Sequence, residues 1–171
     1  MKTSTVVAGL LITIALMPAA QALDLSLSLG KSGEGSDYYR LGLQQEFTQS
    51  WWNTPTGRLT GYWDVGLTHW AGDQAASNQS LSFSPVLVYE FSGSDIHPFV
   101  EAGIGLAAFR HTQVEDHQLG SALQFEDRIG VGFRFGTRHA LGLRAIHYSN
   151  AGFKQPNDGI EAYSLYYQLR Y

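Results

Sequence analysis

The chain contains no cysteine, which excludes disulfides, thiol catalysis and cysteine-held metals. Charge is sparse: Asp, Glu, Lys and Arg together make up 15% of the residues. With Lys2 set aside as part of an N-terminal leader, 10 basic residues (11 − 1) stand against 15 acidic ones, a net charge of −5. That balance gives no electrostatic case for binding nucleic acid. No phosphate-binding glycine loop or nucleotide motif is present. Beyond the N-terminus no apolar run reaches the about 20 residues that a transmembrane helix needs.

The first residues read as a secretory signal. Lys2 supplies the charged start and Val6 to Leu16 the apolar stretch. Pro18 breaks the helix, and Ala20-Gln21-Ala22 provides a small-residue cleavage site. Cleavage is expected after Ala22, leaving 149 residues (171 − 22), a single domain on length grounds. An exported chain without disulfides must be held by something else.

What is present suggests how. Residues alternate apolar and polar in eight blocks separated by Gly, Ser, Asn and Pro clusters. The blocks lie near 23–29, 37–47, 58–70, 80–91, 96–110, 123–135, 139–149 and 159–171. Leu25, Leu27 and Leu29 oppose Ser26 and Ser28; Leu81, Phe83 and Leu87 share one face. Asp64, Glu101, Glu126, Arg128 and Arg134 fall on the polar face among glycines, which suits a narrow lumen with internal ion pairs. In hydrocarbon every backbone donor and acceptor must be paired, so without helices only a closed barrel can span. The fold expected over 23–171 is an eight-stranded antiparallel transmembrane β-barrel.

With an even strand number both termini lie on the periplasmic side. The connections near 31–37, 71–79, 110–120 and 150–159 then face the exterior. Trp51 and Trp52 fall at the periplasmic rim, where aromatic girdles sit.

Polar residues in the lipid-facing phase need an explanation. Leu141, Leu143 and Ala145 are followed in phase by His147 and Ser149, and counting back by twos from Tyr171 reaches Glu161. A tilted strand climbs about 2.3 Å per residue, which puts Glu161 roughly 23 Å above the periplasmic rim, near the outer edge of a ~25 Å apolar band. One such residue commonly means only that a strand has left the apolar band. An acid, an imidazole and a hydroxyl on one face of one hairpin can also make an orienter, a base and a nucleophile.

The run His147-Tyr148-Ser149-Asn150-Ala151-Gly152, followed by Pro156-Asn157-Asp158-Gly159-Ile160-Glu161, resembles the PagL family of lipid A 3-O-deacylases. The resemblance is strongest over 145–171 and includes the terminal strand ending in an aromatic. It implies an outer-membrane serine esterase that hydrolyses the ester-linked 3-hydroxyacyl chain at position 3 of lipid A. Ser149 would be the nucleophile, His147 the base and Glu161 the orienting acid, with Asn150 and the Gly152 N–H as oxyanion hole. No cofactor or metal is implied; the partners are lipopolysaccharide and outer-membrane lipid, and a homodimer is left open. Turn chemistry alone is the competing explanation for Asn150, Gly152 and Gly159.

Other readings are weaker. A non-enzymic barrel for adhesion or membrane integrity would explain the eight blocks and leave the hairpin cluster accidental. His111, Glu115, Asp116 and His117 share one external loop and could ligate a metal, but a solvated loop is the preferred reading. His69, His97 and His139 stand singly near strand ends.

Overall fold

The computed structural model describes residues 23–171; the expected signal over 1–22 lies outside them. The long strands are β1 (Asp24–Ser32), β2 (Asp37–Glu46), β4 (Gly57–Trp70), β5 (Asn78–Phe91), β6 (Ile96–Phe109), β9 (Leu123–Phe135), β10 (His139–Ser149) and β11 (Ile160–Leu169). Three short ones are β3 (Trp51–Thr54), β7 (Gln113–Val114) and β8 (His117–Gln118). All the long pairings are antiparallel. The main sheet runs β2-β1-β11-β10-β9-β6-β5-β4-β3, and a further β2–β4 pairing closes it. Setting aside β3, which flanks β4 at one end, eight strands form the wall and no long strand has a free edge.

Burial is inverted relative to a soluble barrel. On β1, Leu29 is 51% exposed while Ser28 is fully shielded. The outward phase continues through Leu41, Leu67, Ile104, Ile129 and Leu143, all exposed. This is the pattern of strands that face hydrocarbon on one side and a packed polar interior on the other.

Two ion networks fill the middle of the interior, and a third, in which Arg134 bridges Glu46 and Glu90, lies nearer the chain termini. Asp64 accepts from Arg40 and, at 2.9 Å, from Arg128, which also reaches Glu126 at 2.5 Å. Below them Glu101 holds Arg144 at 2.7 Å and accepts from Tyr62 at 2.8 Å and Tyr166 at 3.1 Å. Glycine makes room for these long side chains: a Cβ on Gly66 would lie 2.0 Å from Arg40 Nη2. The polar face expected from the alternation is therefore a packed lumen.

The outer end of the lumen is apolar. Tyr38, Trp70, Phe109 and Tyr148 pack with Val114, Leu119, Ile146 and Ile160. Trp70 lies 5.0 Å from Tyr38 and 5.5 Å from Tyr148, ring centre to ring centre. These residues share the inward phase with the charges, so alternation alone does not separate plug from network. At the opposite end, Trp51 and Trp52 lie exposed on β3 at the rim that carries both ends of the wall.

Candidate active site

Strands β10 and β11 pair in a register that brings His147 directly opposite Glu161. Their outward phase places both side chains on the lipid side, where each is about two-fifths exposed (43% and 40%). His147 Nδ1–H donates to Glu161 Oε1 at 2.9 Å. This bond fixes the tautomer that leaves Nε2 as the free basic nitrogen. Gly159 packs against the ring: its φ is +68°, and a Cβ there would stand 3.0 Å from His147 Cε1. The backbone N–H of Gly33, in the first external loop, donates to the Glu161 carbonyl at 2.9 Å and seats that loop beside the acid.

Ser149 ends β10, two residues beyond His147 and on the same face. Among the described residues, neither its Oγ nor His147 Nε2 has a hydrogen-bond partner. A nucleophile–base bond commonly tightens only when substrate arrives. The chain then turns through two left-handed residues, Ala151 at φ 54° and Gly152 at φ 78°. Such a conformation in a non-glycine residue is strained and clusters at functional turns. The Gly152 N–H has no acceptor among the described residues.

Asn150 is differently placed. Its side-chain amide donates to the carbonyls of Leu119 and Lys154, both at 2.8 Å, and its backbone N–H donates to Asn157 Oδ1 at 2.9 Å. Every donor on Asn150 is thus committed to holding the loop. Of the two expected oxyanion donors, only the Gly152 N–H stands free.

The loop at 110–120 is not a solvated excursion, contrary to the preferred sequence reading. It folds into the β7–β8 hairpin and braces the loop between β10 and β11. His117 Nδ1–H donates to Gly159 O at 2.8 Å, while its Nε2 faces Glu34 Oε1 at 3.1 Å. Gln118 N–H donates to Asp158 Oδ2 at 2.8 Å. Glu115 accepts from the backbone N–H groups of Asp73, Gln74 and Ala75. Burial pushes its carboxyl up, but the three donors outweigh burial and hold it below the ordinary glutamate value. Glu115 and His117 thus serve as struts, whereas Asp116 stays exposed. Among the described residues no three such groups converge on a metal-sized site. Two-residue strands have no periodicity, so no sequence signal announces this brace.

The isolated histidines stay isolated from the site. His69 stacks on Tyr39, and His139 packs between Phe135 and Tyr167. His97 lies on β6, opposite Arg134 of β9.

One polar residue escaped the sequence reading. Asp127 is in phase with Phe125 and Ile129 on the lipid side of β9, between the inward Glu126 and Arg128. It pairs directly with His147. A row Asp127–His147–Glu161 therefore crosses three strands at one level. Beside it opens a groove of about 970 Å³, floored by Ala102, Ile104, Ile129 and Ala145 and reaching Leu87 on β5. The small side chains of Ala102 and Ala145 hollow the wall where neighbouring positions carry bulky residues.

Fold and site together define a class: a transmembrane β-barrel that carries an acid, an imidazole and a hydroxyl on its lipid-facing side. A family model for lipid A 3-O-deacylase (PagL) matches residues 37–170. The chain is 59% identical over 152 residues to lipid A deacylase PagL of Pseudomonas aeruginosa, covering 88% of each. It is 33% identical over 143 residues to lipid A deacylase PagL of Bordetella bronchiseptica, covering 81% of this chain and 80% of the relative. A crystal structure of the outer membrane enzyme PagL superposes with a TM-score of 0.84 at 58% identity, covering 86% of this chain and 99% of that one. The chain belongs to the PagL family of lipid A 3-O-deacylases. It is an integral outer-membrane barrel.

Proposed function

We propose that this protein is a lipid A 3-O-deacylase working as a serine esterase, with Ser149 as nucleophile, His147 as base and Glu161 as orienter. The observation that carries the reading is the 2.9 Å bond from His147 Nδ1 to Glu161, made on the lipid face at the mouth of an apolar groove. A structural barrel has no use for a half-exposed acid and imidazole there, because ionisable groups facing hydrocarbon are costly.

The steps follow from the geometry. The acyl chain at position 3 of lipid A lies in the groove, with its ester carbonyl at Ser149. Ser149 Oγ attacks the carbonyl carbon as its proton passes to His147 Nε2, and Glu161 stabilises the imidazolium. The Gly152 N–H meets the charge that develops on the carbonyl oxygen. Asn150 joins it through its own N–H once Asn157 Oδ1 releases that donor. The C–O bond to the sugar then breaks, and the sugar oxygen takes the proton from His147. Water attacks the acyl-enzyme, giving a proton to His147, which returns it to Ser149 as the 3-hydroxy fatty acid leaves.

The lipid-facing position suits a substrate that diffuses laterally and never leaves the bilayer. All site groups come from one chain, so a homodimer is not required for chemistry. Residues 1–22 serve as the export signal in this reading, with cleavage after Ala22. A long-chain alkyl phosphonate ester tests the nucleophile: the adduct should map to the peptide containing Ser149. An adduct confined to another residue would remove Ser149 from that role.

A further inference from the structure

A single hydrogen bond fixes an imidazole at one atom and leaves the ring free to turn about it. Glu161 holds His147 at Nδ1. A second point of contact is Gly159, which stands against Cε1, the carbon between the two ring nitrogens. The place of Gly159 therefore helps decide where Nε2 points, and whatever holds Gly159 bears on the reaction.

Gly159 precedes β11 by one residue, at a left-handed φ of +68°, where the chain leaves the loop for the strand. Its carbonyl accepts from His117 Nδ1–H at 2.8 Å, and His117 belongs to the separate β7–β8 hairpin. Across the His117 ring, Nε2 meets Glu34 Oε1 at 3.1 Å. The two side chains are mostly shielded, His117 26% exposed and Glu34 18%, so the pair is not a loose surface contact. Glu34 lies in the loop between β1 and β2, and its neighbour Gly33 donates its N–H to the Glu161 carbonyl at 2.9 Å. The contacts thus close a circuit. It runs from Glu161 to His147, Gly159, His117 and Glu34, and returns through Gly33 to Glu161.

Anchoring the loop is a task already met by its neighbours. Gln118 N–H donates to Asp158 Oδ2 at 2.8 Å, and Asp158 N–H returns a bond to Gln118 O at 3.2 Å. Asn157 Oδ1 ties the other limb to the Asn150 N–H. What His117 adds is a bond to the residue that touches His147. We propose that His117 is a positioning residue for the deacylation: held by Glu34, it fixes Gly159 against the His147 ring and keeps Nε2 aimed at Ser149. The inference rests on the proposed function for the identity of base and nucleophile. His117 takes part in no proton transfer and acts through Gly159 alone.

The test compares three substitutions of His117 in the whole protein, assayed on a 3-hydroxyacyl glucosamine ester in mixed micelles. His117→Ala should lower kcat by about 10- to 100-fold, the range for a misplaced catalytic group, with KM within about twofold of wild type. An asparagine side-chain nitrogen takes the place of Nδ1, and a glutamine nitrogen that of Nε2. His117→Asn should therefore keep the bond to the Gly159 carbonyl and hold kcat within about threefold of wild type. His117→Gln keeps only the Glu34 contact and should fall nearly as far as the alanine variant. In proton spectra of histidine-labelled protein, the low-field signal of His147 Nδ1–H should stay sharp in His117→Asn and broaden in His117→Ala. Heat-modified migration in electrophoresis selects folded barrels, and the Asn–Gln contrast decides the matter if the alanine variant does not fold. Equal kcat in the Asn and Gln variants, a rise in KM with kcat unchanged, or an unaltered His147 signal in His117→Ala would overturn the proposal. Ser149→Ala run in parallel keeps the two claims apart. Full activity there would remove the serine assignment, while a broadened His147 signal in His117→Ala would still support the positioning role.

Discussion

Two sets of ionisable residues sit back to back across the same wall, and they are treated in opposite ways. Inside, Arg40, Asp64, Glu126, Arg128, Glu101 and Arg144 are shielded from solvent and paired with opposite charges. Outside, His147 and Glu161 make one bond to each other, and among the described residues Asp127 and Ser149 make none through their side chains. On the proposed function, the contrast separates structural charge from working charge. The lumen groups are shielded and each is tied to an opposite charge, even though some guanidinium donors of Arg40, Arg128 and Arg144 make no bond among the described residues. The lipid-facing groups are half-exposed and meet few partners. The aromatic plug of Tyr38, Trp70, Phe109 and Tyr148 closes the outer end of the lumen beyond the inner set.

That comparison can be broken from either side. The largest effect is expected outside: Ser149→Ala should lower kcat by about 10⁶-fold in a micellar ester assay, with the unfolding midpoint unchanged. Glu161→Ala should cost less, about 10⁴-fold, since an orienter contributes less than the nucleophile. Inside, Glu101→Ala should act the other way. It leaves Arg144 buried without its carboxylate and should cost about 3–5 kcal/mol in denaturant unfolding. The molecules that remain folded should retain their kcat. If the lumen variant instead lost kcat while keeping its stability, the division between the two faces would fail.

Smaller changes sharpen the boundary. Gly159→Ala puts a methyl group against the His147 ring at a positive φ and should lower kcat by about 10²-fold through misplacement of the base. Glu115 concerns only the brace. Its carboxyl is held below the ordinary value, so its contribution is present above the unfolded-state value and is lost as pH falls through the folded one. Proteolysis of the external loops should therefore quicken on acidification in wild type. In Glu115→Gln it should already be faster at neutral pH and change less on acidification.

Most of the wall was legible because side-chain direction in a strand has period two and the two environments differ so strongly. The expected block at 37–47 becomes Asp37–Glu46, and the block at 139–149 becomes His139–Ser149. His147, Ser149 and Glu161 were legible for the same reason, as polar residues in an apolar phase. Asp127 carried the same signal but lay between Glu126 and Arg128, so its opposite direction was masked by a local run of charge. The commitment of Asn150's donors depends on Leu119, Lys154 and Asn157, contacts made between loops that follow no period. The brace at Glu115 and His117 was hidden in the same way.

Mass spectrometry of lipid A after exposure to wild type and to Ser149→Ala tests the central claim most directly. Wild type should remove one 3-hydroxyacyl chain, the one at position 3, and leave the phosphates and other chains in place, while Ser149→Ala should leave lipid A intact. Equal loss of that chain with both proteins would contradict the assignment of the lipid-facing serine. No loss with folded wild type would return the molecule to a structural barrel.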